Sequence, residues 1–351
     1  MKLRHFAIIT AVFSILLVFS FVALAQEPTG YYNAADGKRG ATLKTSLCSI
    51  IRPHKQLEYY SSSGYFLSTD WHPDGYIWDM YSNYKRTSWT YDMNREHSMP
   101  KSWWSATPEN TVAYSDLHNL YPSDVTANSA KLNYSLGEVT GTPIFSNGVV
   151  KTGINGFPGN TETIFEPADQ YKGDFARDYM YVVTCYEEYS QNWRSSGMLT
   201  LGTYPVFKSW AVNLLLKWHR QDPVSTKEIN RNNAVYGIQN NRNPYIDHPE
   251  LAEFVWGKYT SEAWSVDGTL PEAEVALEVY YNVSTSLLHV KINKPAETTY
   301  YILSLSGITL KKGKLSAQGT VSIGELSSGM YILVAYSGTI RKVGKFILQR
   351  P

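Results

Sequence analysis

Cysteine is almost missing from this 351-residue chain, which has only Cys48 and Cys185. That excludes a scaffold built on disulfides, and because neither residue sits in a CxxC or other zinc-ligand spacing, it excludes a cysteine-built metal centre too. Export to an oxidising compartment would still permit one bridge between the two. Long apolar runs are missing after Leu24, so no later segment is expected to span a membrane. Excess positive charge is also missing: 32 Lys and Arg face 31 Asp and Glu, and residues 26–270 alone hold 21 bases against 26 acids. A broad basic face for gripping phosphates is thereby excluded, and any such site must be a local cleft. Neither HExxH nor a nucleophile elbow occurs, which ranks a zinc peptidase or a serine-type hydrolase last.

What is present begins with a leader. Lys2 and Arg4 precede an apolar stretch from Phe6 to Leu24 that closes on Ala23-Leu24-Ala25, the order of a secretory signal peptide over residues 1–25, with a mature start near Gln26. An uncleaved membrane anchor is the alternative. The remaining length suits two domains, and the abundance of Tyr and Trp argues for packed cores rather than disorder.

Periodicity then divides the chain. Leu43, Leu47, Ile50 and Ile51 predict a helix ended by Pro53. Residues 58–94 read as short strands and loops around a WHPDG turn at 71–75, and Gly137–Gly159 as a loop or weak hairpin. Helices return in GDFARDYMYVVTCYEEYS, VFKSWAVNLLLKWHRQDPVS and TKEINRNNAVYGIQNNRNPYIDHPELAEFVW. The last is broken at Asn243-Pro244, and Pro249 opens a final short helix. From about residue 271 the texture alternates apolar and polar in short runs split by Gly and Ser, which predicts a small all-β sandwich over 271–351. The class is α+β, with a mostly helical domain over 26–266.

The chemistry concentrates in NREHSMPKSWW and in DLHNLYPSDVTAN, which opens on Asp116, nineteen residues after His97. Phosphodiester hydrolysis needs an activated water and a sink for charge on the phosphoryl and leaving oxygens. His supplies a base near neutral pH, and a divalent cation held by few oxygen ligands supplies the rest. Glu96 and Asn128 suit that sparse ligand set and His97 is the base candidate. Neighbours on a strand face opposite ways, so Glu96 and His97 share a site only where the strand bends or ends, as Pro100 suggests. Pro122 and Ser123 read as a helix start with Ser123 as N-cap, which puts Asp124, Asn128 and Leu132 on one face. Taken singly the parts are ordinary: Glu-His pairs arise by chance, Trp103 and Trp104 suit a core, and Asp116 could be a plain ion-pair partner. Their combination is much rarer.

With these motifs in order, joined by GDFARDYMY and IQNNRNPYIDHPE, residues 30 to about 258 resemble the bacterial endonuclease I family, exported non-specific nucleases of the ββα-metal (His-Me finger) class. The resemblance implies a ββα-metal core, a metal at Glu96 and Asn128 (Mg²⁺, or another divalent ion such as Ca²⁺ or Mn²⁺), His97 as general base, and 5′-phosphate products. It further implies that Asp116, His118 and Asn119 orient the site from behind, and that Arg177 and then Arg242 contact phosphate. Lys131 stands where many relatives carry Arg, keeping a charge for substrate while losing the bidentate fork. The substrate implied is DNA, with RNA as a second candidate, taken without regard to sequence. SSGMYILVAY and GTIRKVGKFIL resemble the sorting domain of type IX secretion substrates, implying a secretion machinery as partner and a protein that crosses the periplasm to be released or held at the cell surface. An adhesive or carbohydrate-binding β-module is the alternative there. No obligate protein partner and a monomeric state are expected. The competing function for the whole chain is an aromatic-rich binding protein for glycan or single-stranded nucleic acid, without turnover.

Overall fold

The computed structural model describes residues 27–194, 196–268, 277–282, 287–292, 298–315, 318–337 and 340–349. The leader expected over 1–25 lies outside them. Among the described residues no helix is long and apolar enough to cross a membrane. The fold is mixed α+β, and the chain divides into two compact units, Met1–Thr269 and Leu270–Pro351.

In the first unit the early helix is α1 (Gly40–Ile51), whose buried Leu43, Leu47 and Ile51 follow the predicted spacing. The next stretch departs from the expected strands and loops, because α2 (Ser62–Thr69) forms there and buries Phe66 against Leu117 and Leu120. The WHPDG turn joins β1 (Trp71–His72) to β2 (Tyr76–Ile77). Strand β3 (Met93–His97) pairs antiparallel with β4 (Leu120–Asp124), and α3 (Val125–Lys131) follows β4 directly. The segment read as a weak hairpin contributes to a four-stranded sheet of β5 (Ser135–Leu136), β6 (Phe145–Ser146), β7 (Lys151–Ile154) and β8 (Thr163–Glu166) in the order β5-β8-β7-β6.

Helix α4 (Lys172–Cys185) is buried along its whole length, where periodicity had suggested one apolar face. It packs against α1 and α6 (Ser209–Gln221), with α5 (Glu187–Ser190) at its end. Helix α7 (Thr226–Gln239) stops at Asn240 in the left-handed conformation (φ 68°), four residues before the expected break, since Asn tolerates that region and caps helices there. Pro244 instead opens α8 (Pro244–Asp247), and α9 (Leu251–Val255) follows.

An all-round buried helix carrying charges must pair them internally. Arg177, fully buried, donates Nε and Nη2 to the two carboxylate oxygens of Glu228 at 2.5 and 2.9 Å, and Nη1 to the Asp222 carbonyl at 2.9 Å. Glu228 also accepts from Ser225 N at 2.8 Å as part of the capping box of α7, so one carboxylate ties α4 to the start of α7. Gly173 allows this approach: a Cβ there would run into the Asp222 carbonyl and the Arg177 guanidinium. Cys48 and Cys185 are free buried thiols, with Cys48 Sγ 3.5 Å from the Cys185 carbonyl.

The second unit is antiparallel: a sheet ordered β13-β10-β9, from β9 (Leu277–Asn282), β10 (Leu287–Ile292) and β13 (Gln318–Ser322), and one ordered β12-β11-β14-β15. The latter holds β11 (Thr298–Leu303), β12 (Thr309–Leu315), β14 (Gly329–Ser337) and β15 (Ile340–Leu348). Leu288, Ile302, Val321, Leu333 and Phe346 from the two sheets share one core. Strand β12 escaped the sequence reading because TLKKGKL places Lys where an apolar residue would mark alternation.

The Arg177 pairing predicts a specific loss. In Arg177→Ala, Glu228 is left buried and uncompensated, and stability in urea denaturation should fall by about 3–5 kcal/mol. A loss well under 1 kcal/mol would show that the ion pair does not hold α7 to α4.

Candidate active site

The β3–β4–α3 unit brings three of the predicted residues, Glu96, His97 and Asn128, together. Glu96 and His97 are the last two residues of β3, opposite Tyr121 and Leu120, and both are buried although they are neighbours in sequence. They line one cleft of about 590 Å³ together with Asn128 and Leu132 of the α3 end and with Tyr59, Arg95 and Lys101. The strand ending beside Pro100 resolves the alternation problem, since the chain leaves the sheet immediately after His97. Asn128 reaches the cleft for a reason close to that predicted, with one correction. The N-cap is Asp124, whose Oδ1 accepts from Thr126 N and Ala127 N at 2.9 and 3.0 Å, while Ser123 belongs to β4 and is fully buried. Asp124 wins because its carboxylate, adjoining the first helical residue, also accepts Arg86 Nη2 at 2.6 Å.

His97 is held tightly. Its Nε2 lies 2.8 Å from the Tyr114 carbonyl, an atom that can only accept, so Nε2 carries the proton in the neutral ring and Nδ1 keeps its lone pair. Tyr114 and Tyr59 stack on the ring at 5.1 and 5.9 Å, and Trp104 meets it edge-on at 5.5 Å. Burial among these rings lowers its pKa to about 3 and keeps it neutral. Burial acts oppositely on Glu96, raising its carboxyl above the usual range against the pull of Lys131.

Lys131 is not available to a substrate. It is fully buried, with Nζ 2.6 Å from Glu96 Oε1 and 3.3 Å from the His97 carbonyl, where it fixes one carboxylate oxygen. Arg177 and Arg242 are likewise corrected. Arg177 is consumed by Glu228, and Arg242, 2% exposed, is consumed by Asp247 at 2.7 Å and Asn233 at 2.8 Å. The cations that do line the cleft are Arg95 and Lys101. Arg95 is steadied by Ser62 Oγ at 2.8 Å and the Tyr60 carbonyl at 2.6 Å, and Lys101 Nζ sits 5.1 Å from the Tyr114 ring centroid. Their signal was in plain view, as both fall inside NREHSMPKSWW, one residue before Glu96 and four after His97.

Asp116, His118 and Asn119 stand behind the cleft. Asp116, 1% exposed, accepts from Tyr181 OH at 2.7 Å, Tyr186 OH at 2.6 Å, Gln239 Nε2 at 2.6 Å and His118 N at 2.9 Å. Burial pushes its carboxyl up, but the His54 and His118 rings and these donors outweigh it and hold the group below the usual range. His118 packs on the Tyr181 ring at 4.6 Å with Nε2 3.2 Å from the Asn241 carbonyl. Asn119 grips Met99 from both sides, Oδ1 accepting from its N–H at 2.8 Å and Nδ2 donating to its carbonyl at 3.2 Å. From the rear, Arg231 pairs with Asp70 at 2.8 Å and donates to the Leu120 carbonyl at 2.9 Å, pinning β4.

Among the described residues no three His, Cys, Asp or Glu side chains cluster as a metal site. The oxygen donors lining the cleft include one carboxylate, that of Glu96, whose Oε2 is left by Lys131, and the side-chain amides of Asn94, Asn128 and Asn133. Hard oxygen ligands completed by water suit Mg²⁺ rather than a structural zinc.

Residues 39–250 match the family model described as Endonuclease I. An extracellular ribonuclease of Bacillus amyloliquefaciens is 34% identical over 242 residues, covering 64% of this chain and 78% of that protein. An extracellular ribonuclease of Bacillus subtilis (strain 168) is 34% identical over 256 residues, covering 69% of this chain and 84% of that protein. By class the chain is thus a nuclease. It belongs to the endonuclease I family.

The Asn119 grip has a local readout. Asn119→Ala leaves the buried Met99 amide and carbonyl without partners, and stability should drop by about 2 kcal/mol. Hydrogen exchange of the Met99 amide should accelerate more than that of β14, and equal acceleration of both would remove the local assignment.

Proposed function

We propose that this protein is an exported, metal-dependent, sequence-nonspecific endonuclease that hydrolyses phosphodiester bonds of DNA, and of RNA, to 5′-phosphate products. The observation that carries the reading is His97: a buried, neutral imidazole with Nε2 committed to a backbone carbonyl, which leaves Nδ1 its lone pair, in the lining of a cleft that also holds a carboxylate, side-chain amides and two cations. RNA as substrate and export draw support from the relatives, both named extracellular ribonuclease.

In this reading His97 Nδ1 takes the proton from a water placed in line with the phosphorus. The imidazolium that forms is stabilised through Nε2–H by the Tyr114 carbonyl. The stacked Tyr59 and Tyr114 rings keep the imidazole from turning away. Arg95 and Lys101 bind the phosphoryl oxygens, and Lys131 keeps Glu96 ionised and oriented. Glu96 and Asn128 would hold a divalent cation, Mg²⁺ first among Mg²⁺, Mn²⁺ and Ca²⁺, which would supply positive charge for the phosphoryl and leaving 3′ oxygens. The unit is the core of the ββα-metal class, and contacts to phosphate alone carry no sequence information, so cutting is indiscriminate. The C-terminal unit serves type IX-like export, and the catalytic unit acts as a monomer.

Mature protein should degrade plasmid and RNA with Mg²⁺ and stop with chelator. His97→Ala should lose about 10²–10⁴ in kcat, and undiminished nicking by that variant would exclude His97 as base. Arg95→Ala and Lys101→Ala should raise KM and each flatten the salt dependence of binding by about one phosphate contact, whereas a salt slope unchanged in both would exclude them as the phosphate contacts.

A further inference from the structure

A second concave region, separate from the Glu96–His97 cleft, is built largely of aromatic rings. A cavity of about 280 Å³ is lined by Trp104, Tyr186, Tyr189 and Trp193, with the amides of Asn110 and Asn192 among its polar groups. A neighbouring cavity of about 480 Å³ shares Val112, Tyr186 and Tyr189 with it and adds Arg52 and His54. The two adjoin along these side chains, one richer in aromatic rings, the other carrying Arg52 and His54, whose Nδ1 lies 2.7 Å from the Arg52 carbonyl and Nε2 3.3 Å from Tyr186 OH. Neither contains a residue of the cleft lining. They meet the catalytic group through one side chain, Trp104, whose ring is edge-on to His97 with centroids 5.5 Å apart.

We propose that this paired cavity is a nucleotide subsite for an unpaired strand, taking one base among Trp104, Tyr186, Tyr189 and Trp193 and the adjoining phosphate beside Arg52 and His54. The proposal rests on the nuclease reading above. Flat aromatic walls gain from any base through stacking, and side-chain amides offer both donors and acceptors to a base edge. A basic end next to an aromatic end matches the alternation of base and phosphate along a strand, and a neutral glycan would make no use of it. Arg52 is ion-paired with Glu188 at 2.5 Å, but both side chains are largely exposed, 48% and 39%, and such a pair yields readily to a phosphate. A base stacked inside a duplex cannot enter a cavity of this kind without leaving its partner, so the subsite favours single-stranded RNA or DNA over duplex.

The test is calorimetric titration of the mature full-length chain with tetra-adenylate, chelator present so that no turnover occurs. It is compared with the same oligomer carrying abasic residues and with duplex DNA of equal length. The intact oligomer should bind on the order of tenfold more tightly than its abasic counterpart, and Tyr189→Ala should erase about that factor. Asn192→Ala, which changes an exposed side chain away from the catalytic cleft, should weaken the intact oligomer and leave the abasic one unchanged. Equal affinity for intact and abasic oligomers, or unchanged affinity in both variants, would overturn the subsite. Base-dependent binding by a protein that never cuts plasmid or RNA would instead sink the nuclease reading and leave the subsite standing.

Discussion

The site depends on one buried carboxylate. Asp116 sits in the interior with no cation in direct contact, and four hydrogen bonds from Tyr181, Tyr186, Gln239 and the His118 amide hold its charge. Those donors lie on or beside α4 and α7 and on the chain just after Asp116, so the carboxylate locks that chain between two helices. From there the constraint passes to Asn119, from Asn119 to Met99, and so to the end of β3 where Glu96 and His97 emerge. Removing any donor leaves a buried charge short of a partner, a larger cost than an ordinary hydrogen bond. The Glu96–His97 pair is placed by a relay of satisfied polar groups more than by apolar packing.

Charge is partitioned with the same economy. The interior of the first unit contains Lys44, Arg86, Lys131, Arg177, Arg231 and Arg242, each matched to a carboxylate. These pairs consume acids and bases alike, which is how an acidic unit can still present a basic cleft. In the proposed reading the cations left for a phosphate are Arg95 and Lys101, which line the cleft. Net charge over residues 26–270 therefore says little about this site, although it does argue against a broad phosphate-binding face.

How far the sequence could be read follows from the range of the forces involved. The helical spacing of Leu43, Leu47 and Ile51 and the alternation in β10, β11 and β14 are local, and they were legible. The place of the Glu-His pair at a strand end was legible too, since Pro100 follows three residues on and the pair closes β3. The roles of Arg177, Arg242 and Lys131 were not legible in the same way. A motif identifies a cation, but whether it faces solvent or a carboxylate 51 positions away, as Arg177 faces Glu228, is decided by tertiary packing. The helix cap failed at shorter range: Ser123 is a good capping residue, yet pairing of β4 with β3 extends to Asp124 and hands the role to the carboxylate. The early end of α7 turned on Asn240, whose left-handed conformation no periodicity reports.

The two catalytic candidates are displaced in opposite senses by one cause. Burial raises the Glu96 carboxyl and lowers the His97 imidazole, and each shift disfavours the charged form of its group. For a folding core both would be defects, since the protein gains nothing in stability from a carboxylate and an imidazole it must desolvate. In a cleft open to a phosphate they are coherent. A histidine kept neutral has a lone pair free, and a buried carboxylate answers strongly to any cation brought beside it, as Lys131 at 2.6 Å already shows. The aromatic rings that cause the shifts also fix the imidazole plane, so the same packing that desolvates the base orients it. Loosening that shell would weaken both the shifts and the alignment together, which is why Tyr59, Trp104 and Tyr114 belong to the proposed site as much as Glu96 and His97 do.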